Sequence, residues 1–219
     1  MPMHIVTADN VRRLASDTTA LPADVTPKGP KAVILDVALR LFAEKGYAGA
    51  SIRDIAQACS LKPASIYAHY ASKEQLLAQL MNIGHEEHFK MVQEAVVDAE
   101  PEPIEQLKAY VAGHVRFHAE FPMLAVLVNH ELHALSAEEV VTALKLREQA
   151  TDLLMHILKR GQTLGAFDNS HDHWLAGAAI GAMGIRVAHW YSEHHEKSVD
   201  EIVATYQTFA CRLVAQGNN

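Results

Sequence analysis

Two sets of residues have the types and spacing to do chemistry. In the first, Lys62, Pro63, Ala64, Ser65, Tyr67, His69 and Tyr70 follow an interruption at Ser60 and Leu61. Lys62, Ala64, Ser65, Ala68 and His69 are read as the free face of this second helix, with Ile66 as its apolar anchor. Small residues at 64 and 68 permit close approach, and Ser65 and His69 hold hydrogen-bonding groups one turn apart. That combination suits the donor and acceptor edges of base pairs in a major groove. Tyr67 and Lys73 flank this face at positions for phosphate oxygens, beside the partial positive charge of the helix starting at Ser72. Ser51, Arg53 and Tyr70 complete the candidate DNA-contact set.

The second set lies further along. Ile104, Leu107, Val111, His114, His118 and Phe121 recur at spacings of three and four, so both histidines fall within an apolar stripe and point inward. Met183, Arg186 and Trp190 share one face of another segment, setting a guanidinium and an indole in apolar company. A buried arginine needs an anion, from Glu131, Glu120 or a ligand. The candidate ligand contacts are thus His114, His118, Glu131, Met183, Arg186 and Trp190, an apolar pocket with a few polar anchors. Imidazoles at i, i+4 can also seat a metal, and His194 and His195 form a further pair, so metal response is a competing reading. Hydrogen-bonded core or surface roles account for the same histidines, and no metal ligand or cofactor is assigned. No glycine-rich phosphate loop, nucleophile elbow or zinc-protease motif occurs, so an enzyme is not expected.

These residues need a scaffold, and the 219-residue chain is long enough for a sizeable core. Its net charge of −7 is unevenly spread. Lys28 to Lys73 holds seven basic and three acidic residues, a net of +4, which leaves 12 basic and 23 acidic residues elsewhere. A basic module on an acidic body attracts phosphate locally and limits indiscriminate adhesion to DNA. Cys59 and Cys211 sit in apolar helical patterns, where free thiols act as small hydrophobes, so no disulfide is expected. No apolar run approaches the roughly 18 to 20 residues of a bilayer span, and residues 1–10 lack an export signal. A cytoplasmic protein without membrane contact is expected.

Residues 1–29 mix Thr, Asp, Pro and Gly without periodicity and read as a flexible extension, whose Arg12 and Arg13 could reach DNA as basic arms do. After Pro30 the patterns are helical throughout, which predicts an all-α fold of about nine helices. Helix 1 follows Val33, Ile34, Val37, Ala38, Leu41 and Phe42 and stops at Gly46. Capping boxes at Ser51–Asp54, Ser72–Gln75 and Ser136–Glu139 start later helices. Others are expected from Pro103 to Phe121, Pro122 to Leu135, Ser136 to Leu164, His171 to Tyr191 and Ser198 to Gln216. The two short patterns meeting at Ser60 and Leu61 are too tightly joined for parallel packing and read as a helix-turn-helix, held by Ile52, Ile55, Ala56, Leu61 and Ile66. Expected domains are a three-helix DNA-binding domain at 30–76 and a larger helical ligand-binding and dimerisation domain at 77–219.

The stretch from Lys31 to Leu77 resembles the amino-terminal domain of the tetracycline-repressor (TetR/AcrR) family. It carries A-x-x-L-F-x-x-x-G-Y at Ala38–Tyr47, S-I-R-D-I-A at Ser51–Ala56 and I-Y-x-H-Y-x-S-K-E at Ile66–Glu74. It departs from the family pattern at Ser60, where glycine is frequent, at Pro63 and Ala64, and at Ala71. The resemblance implies a homodimeric repressor on a near-palindromic operator, its recognition helices spaced by one DNA turn, around 34 Å. It also implies a four-helix dimer interface from the last two helices, with Trp174, Gly177, Gly181, Gly184 and Ala188 on one stripe and Ile202, Tyr206, Phe209 and Leu213 on the other. Val128–Leu135 and Val187–Ile202 are similar to members governing fatty-acid, steroid or aromatic-acid degradation. That similarity implies a small hydrophobic effector, an acyl-CoA thioester, with hydrophobic drugs or a metal ion as alternatives.

Overall fold

The computed structural model describes residues 21–170, 172–192 and 194–216; the expected arm at Arg12 and Arg13 lies outside the described residues. Among those described, every regular element is helical. Helix α1 (Pro30–Gly49) places proline in its first turn, where a missing N–H costs nothing. Gly46 breaks it with φ 72° and ψ 159°, a conformation closed to side-chain-bearing residues except at a cost, and Phe42 packs edge-on against Tyr47 across the break. Helix α2 (Ile52–Ala58) starts on the expected box: the Ser51 hydroxyl accepts from the Asp54 amide at 3.2 Å, and the Asp54 carboxylate accepts from the Ser51 amide at 2.9 Å. Helix α3 (Pro63–Tyr67) is short, and backbone bonds from His69 and Tyr70 to the Ile66 carbonyl close one more turn.

Helix α4 (Lys73–Asp98) begins with the Ser72 hydroxyl accepting from the Gln75 amide at 3.0 Å, while the Gln75 side chain accepts from the Ala71 amide at 2.6 Å. Then come α5 (Pro103–Glu120), α6 (Pro122–His130) with a 3₁₀ turn at Leu132–Ala134, α7 (Ala137–Thr163), α8 (His173–Ile185), α9 (Val187–Trp190) and α10 (Val199–Val214). The described residues thus hold ten α-helical segments. The run expected as one helix to Tyr191 divides at Arg186, after glycines at 177, 181 and 184 that weaken its helical preference. The helix expected to Leu135 gives way to the 3₁₀ turn after His130. At the start of α7, the Ser136 amide donates to Glu74 Oε1 at 2.6 Å, so this carboxylate comes from α4 and not from the expected Glu139. A box not singled out from the sequence, Ser198 with Glu201, starts α10.

Two compact units emerge, and α4 runs through both. One holds the described residues up to Glu87, with Phe121–Leu144 and Ala188–Trp190; the other holds His88–Glu120, Lys145–Val187 and the chain from Tyr191. Compactness therefore does not divide the chain at residues 76 and 77. In the first unit α1 packs on α6, and Ile34, Leu35, Phe42, Ile55, Ile66 and Leu76 are buried. In the second, α5 packs on α10 and α8 around Leu107, Val111, Val115, Leu158, Phe167 and Ile180. No described helix is long and apolar enough to cross a membrane.

The glycine stripe of α8 requires a correction. Gly177 and Gly184 face the interior of the second unit, where an added β-carbon would collide with the Met155 side chain and the His114 ring. Ala188 and Ile202 are buried as well. What α8 exposes is Trp174, at 60%, and Leu175, while α10 exposes Phe209 and Leu213. At Gly177 and Gly184 the close approach that offsets a poor helix former is made within the chain, whereas Gly181 faces open space.

The turn between α2 and α3 runs through Ser60 at φ 57°, in the left-handed region that costs a side-chain-bearing residue about 1 kcal/mol or more. Ser60→Val, β-branched at that φ, should lower stability by about 1 to 2 kcal/mol in urea unfolding, whereas Ser60→Gly should leave it unchanged or raised.

Candidate functional site

The helix-turn-helix is assembled by burial on one side only. Ile55 and Ile66 are fully buried, each worth roughly 2 kcal/mol, and they fix α2 against α3. The Leu61 amide donates to the Ala56 carbonyl at 2.8 Å and tightens the turn. Around these anchors Arg53, Lys62, Pro63, Ala64 and Tyr67 are exposed, Tyr67 at 53%, while Ser65 and His69 are half-buried. Ser51 is exposed, but its hydroxyl serves the α2 cap. Of the candidate set, Lys62, Ala64 and Tyr67 are thus fully accessible on α3 and its turn, and Ser65 and His69 in part.

Two members of the set stand elsewhere. Tyr70 is 4% exposed, its hydroxyl donating to the Lys31 carbonyl at 3.4 Å, and burial pushes its pKa up to about 12. Lys73 points under the end of α1: its ammonium donates to the carbonyls of Tyr47 at 2.8 Å and Ala50 at 2.9 Å, and lies 4.1 Å from the Tyr47 ring centroid. These carbonyls lie at the carboxy-terminal end of α1, where helical donors run out; the Tyr47 carbonyl accepts a long bond from the Ala50 amide at 3.4 Å, and the ammonium adds a second donor to it. Glu131 completes the junction, its Oε1 accepting from the Tyr47 amide at 3.3 Å.

Glu131 is therefore placed at the α1 junction, within the first compact unit, where Trp190 also lies. Arg186 is exposed at the break between α8 and α9, which removes the expectation of a buried guanidinium needing an anion. Glu120, the other carboxylate expected beside it, lies 4.0 Å from Arg116. Met183 is half-buried against the core of the second unit.

Within that unit, His114 and His118 do come together and point inward, 5% and 2% exposed. His114 Nε2 lies 3.0 Å from the Gly181 carbonyl and His118 Nδ1 lies 2.8 Å from the His114 carbonyl. Tyr110 stacks on His114 with ring centroids 6.0 Å apart. Burial holds the His114 pKa down at about 4, although the Gly181 carbonyl acts in the opposite direction. A third ring, His88 on α4, places Nε2 2.8 Å from His114 Nδ1. Sequence reasoning missed His88, yet the signal is present: Leu77, Met81, Gly84, His88, Val92 and Val96 recur at three and four.

Comparison with known proteins agrees with this architecture. Residues 34–80 match the family of bacterial regulatory proteins described as the tetR family, and residues 100–214 match the tetracyclin repressor-like C-terminal domain. The HTH-type transcriptional repressor KstR2 of Rhodococcus jostii is 24% identical over 203 residues, covering 92% of this chain and all of that protein. A crystal structure of a tetR-family regulatory protein from Rhodococcus RHA1 aligns with a TM-score of 0.78 at 28% identity, over 90% of this chain and 100% of that one. The fold also matches AibR, solved with isovaleryl coenzyme A and operator DNA, with a TM-score of 0.72 at 24% identity over 80% of this chain and 95% of that one. With the C-terminal match alone spanning more than half its length, the chain belongs to the tetR family of bacterial regulatory proteins and is a DNA-binding transcriptional regulator, not an enzyme.

Proposed function

We propose that this regulator is a cytoplasmic, homodimeric repressor that leaves a near-palindromic operator when its carboxy-terminal region binds a small hydrophobic effector, an acyl-CoA thioester. The observation that carries the DNA half is the accessible part of α3 and its turn, where Lys62 and Tyr67 are exposed and Ser65 and His69 half-buried while Ile55 and Ile66 are buried. Residues 30–76 act as the reading domain and 77–219 as the sensing and pairing domain. Ser65 and His69 read base edges; Arg53, Lys62 and Tyr67 meet phosphates, with Pro63 and Ala64 keeping the approach close. Ser51, Tyr70 and Lys73 act by positioning: the first caps α2, the second anchors α3 beneath α1, and the third holds the end of α1. Pairing through the exposed Trp174, Leu175, Phe209 and Leu213 would cover an apolar surface that water otherwise meets.

The effector half draws support from AibR, whose structure holds isovaleryl coenzyme A. His114, His118 and Met183 supply the apolar and hydrogen-bonding wall in this reading, and Arg186, exposed, is suited to the anionic end of such a ligand. The effector acts only through its higher affinity for the conformation that fits DNA poorly.

Two measurements test this reading. In a salt titration of operator binding, Lys62→Ala should reduce the log–log slope by about 1, the value of one lost phosphate contact. Lys73→Ala should leave that slope unchanged and lower the melting temperature; equal slopes for wild type and Lys62→Ala would remove the phosphate assignment. In fluorescence anisotropy with labelled operator, a series of acyl-CoA thioesters should include members that release the protein at least tenfold more effectively than the matching free acids. If no thioester lowers operator affinity, the effector is of another class.

A further inference from the structure

The second compact unit contains a constellation that DNA reading does not use, and of which the effector reading takes two members, His114 and His118, as wall residues. One ring nitrogen from each of His88, His114 and His118 lies within 4.8 Å of the other two. Two helices contribute, His88 from α4 and the i, i+4 pair from α5, and sequence features bring them close. Gly113 rests directly on the α4 backbone at Met91 and Val92, where a β-carbon would meet the Met91 carbonyl oxygen at 2.7 Å. Gly184 opens a notch in α8 that the His114 ring fills.

We infer that His88, His114 and His118 form a binding site for one divalent transition-metal ion of the Zn²⁺ class. The ligand chemistry is set by what the other ring nitrogens do. His114 Nε2 faces the Gly181 carbonyl and so carries the proton, which leaves the Nδ1 lone pair directed at His88. His118 Nδ1 faces the His114 carbonyl and so carries its proton, which makes Nε2 its ligand atom. Backbone carbonyls that fix tautomer and ring direction in this way are the usual outer support of histidine metal ligands. With the site empty, His88 Nε2 donates its proton to His114 Nδ1; on coordination that proton resides on His88 Nδ1 and Nε2 becomes a ligand, with no change in net charge. Zn–N bonds of about 2.0–2.1 Å in a tetrahedron place nitrogens roughly 3.3 Å apart, so the rings need shift only by about an ångström or so. Half-buried His88 offers the entry side, and three neutral imidazoles leave a fourth position for water or an oxygen of another ligand. The set holds no thiolate or carboxylate, which disfavours Mg²⁺ and Ca²⁺.

The test uses the full chain, purified without an affinity tag, treated with chelator and titrated with Zn²⁺ by calorimetry and with Co²⁺ by visible absorption. One equivalent per protomer is expected, with ligand-field bands of tetrahedral Co²⁺ and a melting temperature that rises with Zn²⁺. His88→Gln and His118→Gln should each weaken binding at least tenfold, while the surface variant His194→Gln/His195→Gln should bind like wild type. His88→Gln, altering the half-buried member, keeps the test decisive if His118→Gln fails to fold. Absence of stoichiometric binding by wild type, undiminished binding by His88→Gln, or loss only in the His194/His195 variant would each overturn the site. None of these outcomes depends on whether an acyl-CoA releases the protein from DNA.

Discussion

Every helix end leaves backbone N–H or C=O groups that its own turns cannot satisfy. In the first unit this constraint governs how the DNA-reading element is held. Beyond its break at Gly46, α1 ends at Gly49; there the Lys73 ammonium donates to the carbonyls of Tyr47 and Ala50, and Glu131 accepts from the Tyr47 amide. Glu74, the next residue along α4, accepts from the Ser136 amide ahead of α7, and these bonds hold its carboxyl below its ordinary pKa. Two adjacent side chains thus close helix ends far apart in sequence.

The same accounting explains why Lys73 and Tyr70 are poor choices for direct contact, although both belong to the segment most closely resembling its family. A lysine whose donors already meet two carbonyls and whose charge rests on an aromatic ring would have to give up those partners to reach a phosphate. A tyrosine buried beneath α1 contributes shape and anchoring. Membership of a motif specifies a residue's place in the assembly; its direction decides between contact and support.

In the second unit the governing constraint is steric. Glycines at 113, 177 and 184 remove side chains where another group must sit, and so admit the α4 backbone, Met155 and His114. Each costs helix propensity, about 1 kcal/mol relative to alanine, and the burial it permits offsets that cost. The cluster of imidazoles is a product of these approaches. Its two buried members keep a backbone carbonyl each, in keeping with the rule that enclosed polar groups find partners.

The sequence by itself determined the helical class, most helix limits to within a few residues, the Ser51–Asp54 cap and the turn at Ser60. All of these rest on local rules: 3.6-residue periodicity, capping chemistry and the stops imposed by glycine and proline. It also placed His114 and His118 inside, since one apolar stripe specifies its own orientation. Tertiary structure alone decided that Lys73 turns inward, that Glu131 serves the α1 junction, that Arg186 is exposed where α8 breaks, and that Gly177 and Gly184 of α8 face their own unit. It alone added His88 to the pair. Each of these depends on which distant element lies opposite, and a helical stripe states that a face is buried without naming what covers it.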